Sequence, residues 1–202
     1  MTVGTRVVSA FAAARGDDAT ALVFEYMAAT LAETGRTMPT GIGQLPAVLQ
    51  RECRDLAAVY HPPGDLLIAD RGRQPAGCVG LAPRSGERTA EIKRLYVRPA
   101  WRGIGIARIL MTRAHHHAAQ YGITRLVLDV LPARTAVISF YHRLGYTETG
   151  PFATESPTPM VYMQRLVTAD DILSITGLDD SSIAEFVTQS DGSLDLDRFT
   201  GW

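Results

Sequence analysis

Between Glu91 and Tyr121 the spacing of apolar residues changes from two to 3.6, and the change falls in the stretch VRPAWRGIGIARIL, Val97 to Leu110. The alternation in ERTAEIKRLYV predicts a strand. Ile106, Ile109, Leu110, Ala114, His117, Ala118 and Tyr121 then recur at helical spacing until Gly122 stops the helix. Two glycines, Gly103 and Gly105, sit in the turn between them. A strand, a glycine-bearing turn and a helix in that order argue for helices packed on a sheet.

The rest of the chain agrees. Thr5 to Ala13 reads as a strand, and Asp17 and Asp18 supply N-cap chemistry for a helix over about 18–34. AVLQRECRDLAAVY carries the stripe of a second helix in Val48, Leu49, Cys53, Leu56 and Val59. DLLIAD and PAGCVGLAP are short strands joined by RGRQ, which has the length and the glycine of a hairpin turn. TRLVLDVL predicts a strand, ARTAVISFYHRLG a helix closed by Gly145, and MVYMQRLV a final strand. The order, roughly β-α-α-β-β-β-α-β-α-β-β, defines an α/β (α+β) chain with a mixed sheet flanked by helices.

Residues after Val167 differ in character. Between 168 and 202 eight acidic residues face only Arg198, a net charge of −7 that leaves +6 on residues 1–167. The expected organisation is one principal domain over 1–167 and an acidic C-terminal tail over 168–202. The tail's short helical stretch, DDSSIAEFVTQS, is expected to order only by docking on the domain or on a partner subunit of a homodimer.

Composition excludes several classes. With 46% hydrophobic residues in 202 the chain can bury a sizeable core, and a net charge of −1 carries no signature of nucleic-acid or membrane binding. No stretch approaches the roughly 18 apolar residues of a membrane span. Cys53 and Cys78 are too few for a metal knuckle and suit buried thiols in a reducing cytoplasm. His115, His116 and His117 lie about 100° apart around a helix and cannot converge on one ion. A cytoplasmic protein without metal, nucleic acid or membrane is the expectation.

The turn itself is chemically specific. The first N–H groups of a helix lack internal partners and carry positive potential, and glycines let a ligand approach the backbone. With Arg102 and Arg108 adding forked donors, residues 102–108 predict a phosphate or pyrophosphate site. A P-loop would need a lysine and a hydroxyl residue after Gly105, and a dinucleotide fingerprint would need Gly or Ala where Arg108 stands. Both readings fail on spacing.

Arg102-x-x-Gly105-x-Ala107 resembles the [Gln/Arg]-x-x-Gly-x-[Gly/Ala] motif of the GCN5-related N-acetyltransferase (GNAT) superfamily. AEIKRLYVRPAWRGIGIARILM looks like that family's fourth strand and third helix, LDVLPARTAVISFYHRLGY like its fifth strand and fourth helix, and MVYMQRLV like its closing strand. The resemblance covers about residues 5–167 and implies a GNAT-type, mostly antiparallel mixed sheet. It also implies an acetyl-CoA-dependent transfer of acetyl directly to a primary amine of a small molecule or peptide. On that reading Arg102, Gly103, Ile104, Gly105, Ile106, Ala107 and Arg108 hold the pyrophosphate of acetyl-CoA. The pantetheine then runs beside Leu95, Tyr96 and Val97.

Within the resemblance Tyr141 matches the tyrosine assigned as general acid, and Glu91 stands where many members carry a glutamate base. Strand alternation is expected to put Glu91, Lys93, Leu95 and Val97 on one face, so Glu91 serves either as base through water or in an ion pair with Lys93. Glu25 and Tyr26 are weaker candidates for lining the acceptor pocket. One departure stands out: Arg134 occupies the place of a common asparagine seven residues before the tyrosine. The rival reading is a non-catalytic acyl-CoA-binding module on the same fold.

Overall fold

The computed structural model describes residues 4–152, 159–168 and 170–173. Seven strands form one sheet: β1 (Thr5–Ser9), β2 (Asp65–Arg71), β3 (Gln74–Pro83), β4 (Thr89–Val97), β5 (Arg125–Val130), β6 (Thr147–Thr149) and β7 (Val161–Leu166), in the order β1-β2-β3-β4-β5-β7-β6. Only β4 and β5 run parallel; every other pair is antiparallel. The mixed sheet flanked by helices agrees with the arrangement expected from the sequence.

Helices cover both faces. On one lie α4 (Ile106–Gln120) and α5 (Thr135–Arg143), packed through Ile106, Leu110, Met111 and Phe140 against Val79, Leu81, Ile92 and Leu126. On the other lie α1 (Gly16–Glu33), α2 (Ala47–Arg54) and α3 (Leu56–Val59), packed through Leu22, Val23, Met27 and Leu56 against Leu66, Ile68, Cys78 and Tyr96. Covering on both sides explains why β2 and β3 are near-continuous apolar runs. The hairpin between them turns at Gly72, φ 63°, as RGRQ required. Gly122 (φ 70°) and Gly145 (φ 84°) end α4 and α5 in the left-handed conformation.

The structure corrects four sequence expectations. The first strand stops at Ser9, where the backbone turns and Arg15 N–H bonds Ala10 O. The second helix is two: Asp55, at φ −144° and ψ 75°, breaks it and caps α3 by accepting from Ala58 N–H. Within α2 the inward face carries Glu52 and Cys53, so Val48 is exposed rather than core, while Glu52 is buried. In α4 it is His115, not His117, that is buried, because the Tyr146 hydroxyl lies 3.1 Å from its Nε2. That burial keeps the imidazole neutral, its pKa pulled down to about 3 first by desolvation and then by Arg165.

The fourth correction matters most. The β3–β4 register shifts between Cys78 and Gly80, and Arg94 takes φ 55°, a β-bulge that adds one residue to β4. Leu95 and Val97 thereby join Ala90 and Ile92 in the α4 core, so they lie opposite to Glu91 and Lys93. Cys78 Sγ lies 3.3 Å from the Arg94 carbonyl, which accepts its hydrogen, and burial drives that thiol's pKa far up. Opposite the bulge Tyr60 packs over Gly80 so closely that an added Cβ would lie 2.2 Å from its Cε1. Tyr60 cannot swing aside, since its hydroxyl donates to Glu52 Oε1 at 2.7 Å. Gly80→Ala should therefore cost about 1–3 kcal/mol of stability in urea unfolding, the price of overpacking a core.

Candidate active site

β4 and β5 pair over only three positions, Thr89↔Arg125, Ala90↔Leu126 and Glu91↔Val127, and then diverge. Their divergence opens a cleft of about 430 Å³, its open mouth included, lined by Tyr26 from α1, Glu91 to Leu95 from β4, Asp129 and Val130 from β5, and Arg134, Val137 and Tyr141. The helix α1 bridges the two parting strand ends. Glu25 takes Arg98 just beyond β4 in a bidentate pair at 2.9 and 2.7 Å. Arg134, just beyond β5, donates to Thr30 Oγ1 at 2.9 Å and to Glu33 Oε2 at 2.7 and 2.9 Å. Tyr26 lies between these anchors, with the guanidinium of Arg94 5.5 Å and that of Arg134 5.8 Å from its ring centre.

A buried ion pair holds the bulge. Arg94 donates to both oxygens of Glu52, at 2.8 and 2.7 Å, across 42 positions of sequence. Burial alone would raise the Glu52 carboxyl, but the hydrogen bonds and charge of Arg94 overrule it and hold the group below its ordinary value. A depressed carboxyl contributes its stability above its unfolded pKa and loses it as pH falls through the folded one.

The residues expected to hold pyrophosphate form a turn just beyond the end of β4, the strand whose residues 91–95 line the cleft. Gly103 (φ 74°) and Gly105 (φ 85°) are left-handed, and Gly105 is the N-cap of α4. Among the described residues the backbone N–H groups of Gly103, Ile104, Gly105, Ile106 and Ala107 donate to no backbone carbonyl. Ile104 is exposed, Arg108 is half-buried, and Arg102 Nε donates to Val97 O at 3.0 Å, tying the turn to the end of β4. Five such donors at the start of a 15-residue helix fit a pyrophosphate. Beside them, Leu95 and Val97 face the α4 core and Tyr96 the α1 side.

Tyr141 reaches the cleft from the α5 side. Its ring packs against Phe140 and edge-on to Tyr146 at 5.4 Å, and among the described residues its hydroxyl has no hydrogen-bond partner. Burial first, then Tyr26, pushes its pKa far up, so it stays protonated. Glu91 is engaged: Lys93 Nζ donates to Oε1 at 2.6 Å and Arg84 Nη1 lies 4.0 Å from Oε2. Glu25 is committed to Arg98 and is not among the cleft's lining residues, whereas Tyr26 is. The structure thus brings Glu91, Leu95, Tyr141 and Tyr26 to one cleft, with residues 102–108 at the end of β4.

Sequence reasoning missed Glu52, Arg94 and Asp129. The first two bear opposite charges in distant segments, with no local pattern to join them. Asp129 interrupts the apolar run LVLDVL, the one signal that could have drawn notice.

This architecture, a seven-stranded mixed sheet splayed beside a glycine-turn helix, is that of GNAT-type acetyltransferases. The acetyltransferase (GNAT) family model matches residues 34–146, more than half of the chain, and the chain belongs to that family. An uncharacterized N-acetyltransferase of Schizosaccharomyces pombe is 34% identical over 109 residues, 53% of this chain and 66% of the relative. An acetyltransferase from Streptococcus agalactiae superposes with a TM-score of 0.64 at 16% identity, over 81% of this chain and 98% of the other. The yncA protein of Salmonella typhimurium, solved with its cofactor acetyl-CoA, gives 0.58 at 20% identity over 81% and 94%. The family's activity is acyl transfer. Among the described residues no helix is long and apolar enough to cross a membrane, and no three His, Cys, Asp or Glu side chains converge as metal ligands.

Glu52→Gln should leave the Arg94 charge buried and cost about 3 kcal/mol at neutral pH. Measured by urea unfolding across pH, the gap from wild type should close as pH falls below the ordinary glutamate range, because protonated Glu52 then resembles the variant.

Proposed function

We propose that the protein transfers an acetyl group from acetyl-CoA directly to a primary amine of a small molecule or peptide. The observation that carries this reading is a cleft lined by a protonated, unengaged tyrosine, with a phosphate-type donor cluster following the strand that forms one of its walls. Acetyl-CoA, when bound, supplies the acetyl group as an activated thioester.

The chain's own residues supply the rest. Backbone N–H groups from Gly103 to Ala107 bind the pyrophosphate, with Arg102 and Arg108 adding charge around it. Beyond Glu91 the β5-facing edge of β4 makes no ladder bond with β5, which leaves backbone groups of residues 92–97 to orient the pantetheine amides. Tyr141 donates a proton to the departing sulfur, a task that suits a phenol kept neutral by burial. The amine enters from the α1 side, where Tyr26 and the carboxylates stand, and its proton passes to that side. Residues 1–167 form the catalytic domain; the acidic stretch expected beyond them lies outside the described residues after Leu173. Its first turn, α6 (Asp170–Leu173), is anchored by Asp171 on Arg165 at 2.8 and 3.0 Å.

A screen of acetyl-CoA thiol release over amines, amino acids and peptides, run beside CoA calorimetry, tests the reading. Turnover on one amine class supports it; CoA binding without turnover favours the non-catalytic module. Tyr141→Phe should lower single-turnover CoA release by about a hundredfold or more while CoA affinity stays within about twofold. Unchanged release would remove Tyr141 from the acid role.

A further inference from the structure

The cleft holds two carboxylates, and they are not equivalent. The register Glu91↔Val127 places Lys93 and Asp129 one pleat further along the parting strands, on the face shared by Glu91. Glu91 is occupied by Lys93 at 2.6 Å and has Arg84 at 4.0 Å. Asp129, among the described residues, has no side-chain partner in another residue, its carboxylate accepting a hydrogen bond from its own backbone N–H, and it lines the same cleft as Tyr141. Its residue is exposed to solvent while its carboxyl sits in a concave site lined by Glu91, Lys93, Arg94 and Arg134. This recess first, and the charge of Glu91 second, raise its carboxyl above the ordinary value, against the pull of Lys93 and Arg94.

We infer that Asp129 is the base that takes the acceptor's proton, and that Glu91 is a positioning residue that holds Lys93 aside from it. The inference rests on the acetyltransferase reading above. As the amine nitrogen bonds to the thioester carbon, its proton passes to an Asp129 oxygen, directly or through one water. The C–S bond breaks with its electron pair on sulfur, which takes the Tyr141 proton. Asp129 then returns its proton to solvent, and Tyr141 regains one. Acid and base thus approach from opposite faces of the sheet, Tyr141 from the α5 core and Asp129 from the α1 side.

Other groups around Asp129 are accounted for. Glu91, Lys93 and Arg94 face it from β4, Tyr26 from α1, and Arg134 and Tyr141 from the β5–α5 segment. Tyr162 is its backbone partner on β7. Of these only Glu91 and Asp129 are carboxylates, so an acid limb in the rate profile belongs to one or the other.

The test uses the full chain with acetyl-CoA and whichever panel amine gives the highest thiol release, together with carboxyl-carbon NMR titration of the free protein. Asp129→Asn should lower kcat/KM about a hundredfold and abolish the acid limb while CoA affinity and fold are retained. Glu91→Gln should lower the rate by a smaller factor and move the limb, and the Asp129 resonance, down by about half a pH unit. Loss of the limb in Glu91→Gln with its survival in Asp129→Asn would overturn the inference and return the base role to Glu91. An Asp129 resonance titrating in the ordinary aspartate range would overturn it as well. Absence of turnover on every amine would instead count against the acetyltransferase reading, with the NMR result unaffected.

Discussion

The structure depends on the parting of β4 from β5. A sheet gains by pairing every strand to its end, and an unpaired buried edge is costly. Here the ladder stops after Glu91 and Val127, and the protein holds the two strands apart with specific ties. The bulge at Arg94 turns β4, Glu52 and Tyr60 fix the bulge from behind, and α1 spans the gap from Arg98 to Arg134. Each tie is a charged hydrogen bond, and all but the exposed Arg134–Glu33 pair lie in a partly or wholly buried setting, where geometry counts for more than on the surface.

That opening decides what the cleft can do. It joins the two faces of the sheet, so a group arriving from the α4 and α5 side can meet one arriving from the α1 side. Tyr141 and the glycine turn belong to the first; Tyr26, Glu91 and Asp129 belong to the second. The separation suits a transfer between two substrates, since donor and acceptor need not share an entrance. Arg134, in the place where the family often has asparagine, spends its guanidinium on α1 through Thr30 and Glu33 and so closes one end of the gap.

Much of this was legible in the sequence because it is local. Helical and strand periods, the hairpin at Gly72 and the left-handed stops at Gly122 and Gly145 each follow from a few consecutive residues. The glycine turn before α4 was legible for the same reason. The bulge was not: Arg94 occupies an ordinary alternating position, and its φ of 55° accompanies a tie to Glu52 on another layer. Missing it carried Glu91 and Lys93 to the wrong face relative to Leu95 and Val97. His115 was misplaced in the same way, since only Tyr146, brought near by the fold, makes an imidazole acceptable in that core. Asp129 reads as one polar residue in a strand until the splay turns it toward a cleft.

The central claim, that the splayed edge of β4 and the turn before α4 together receive a CoA thioester, is tested most directly by amide hydrogen exchange with and without CoA. The account predicts slowed exchange at residues 92–97 and 103–107, with β1 and α2 unchanged. Protection elsewhere with none at 103–107 would contradict it.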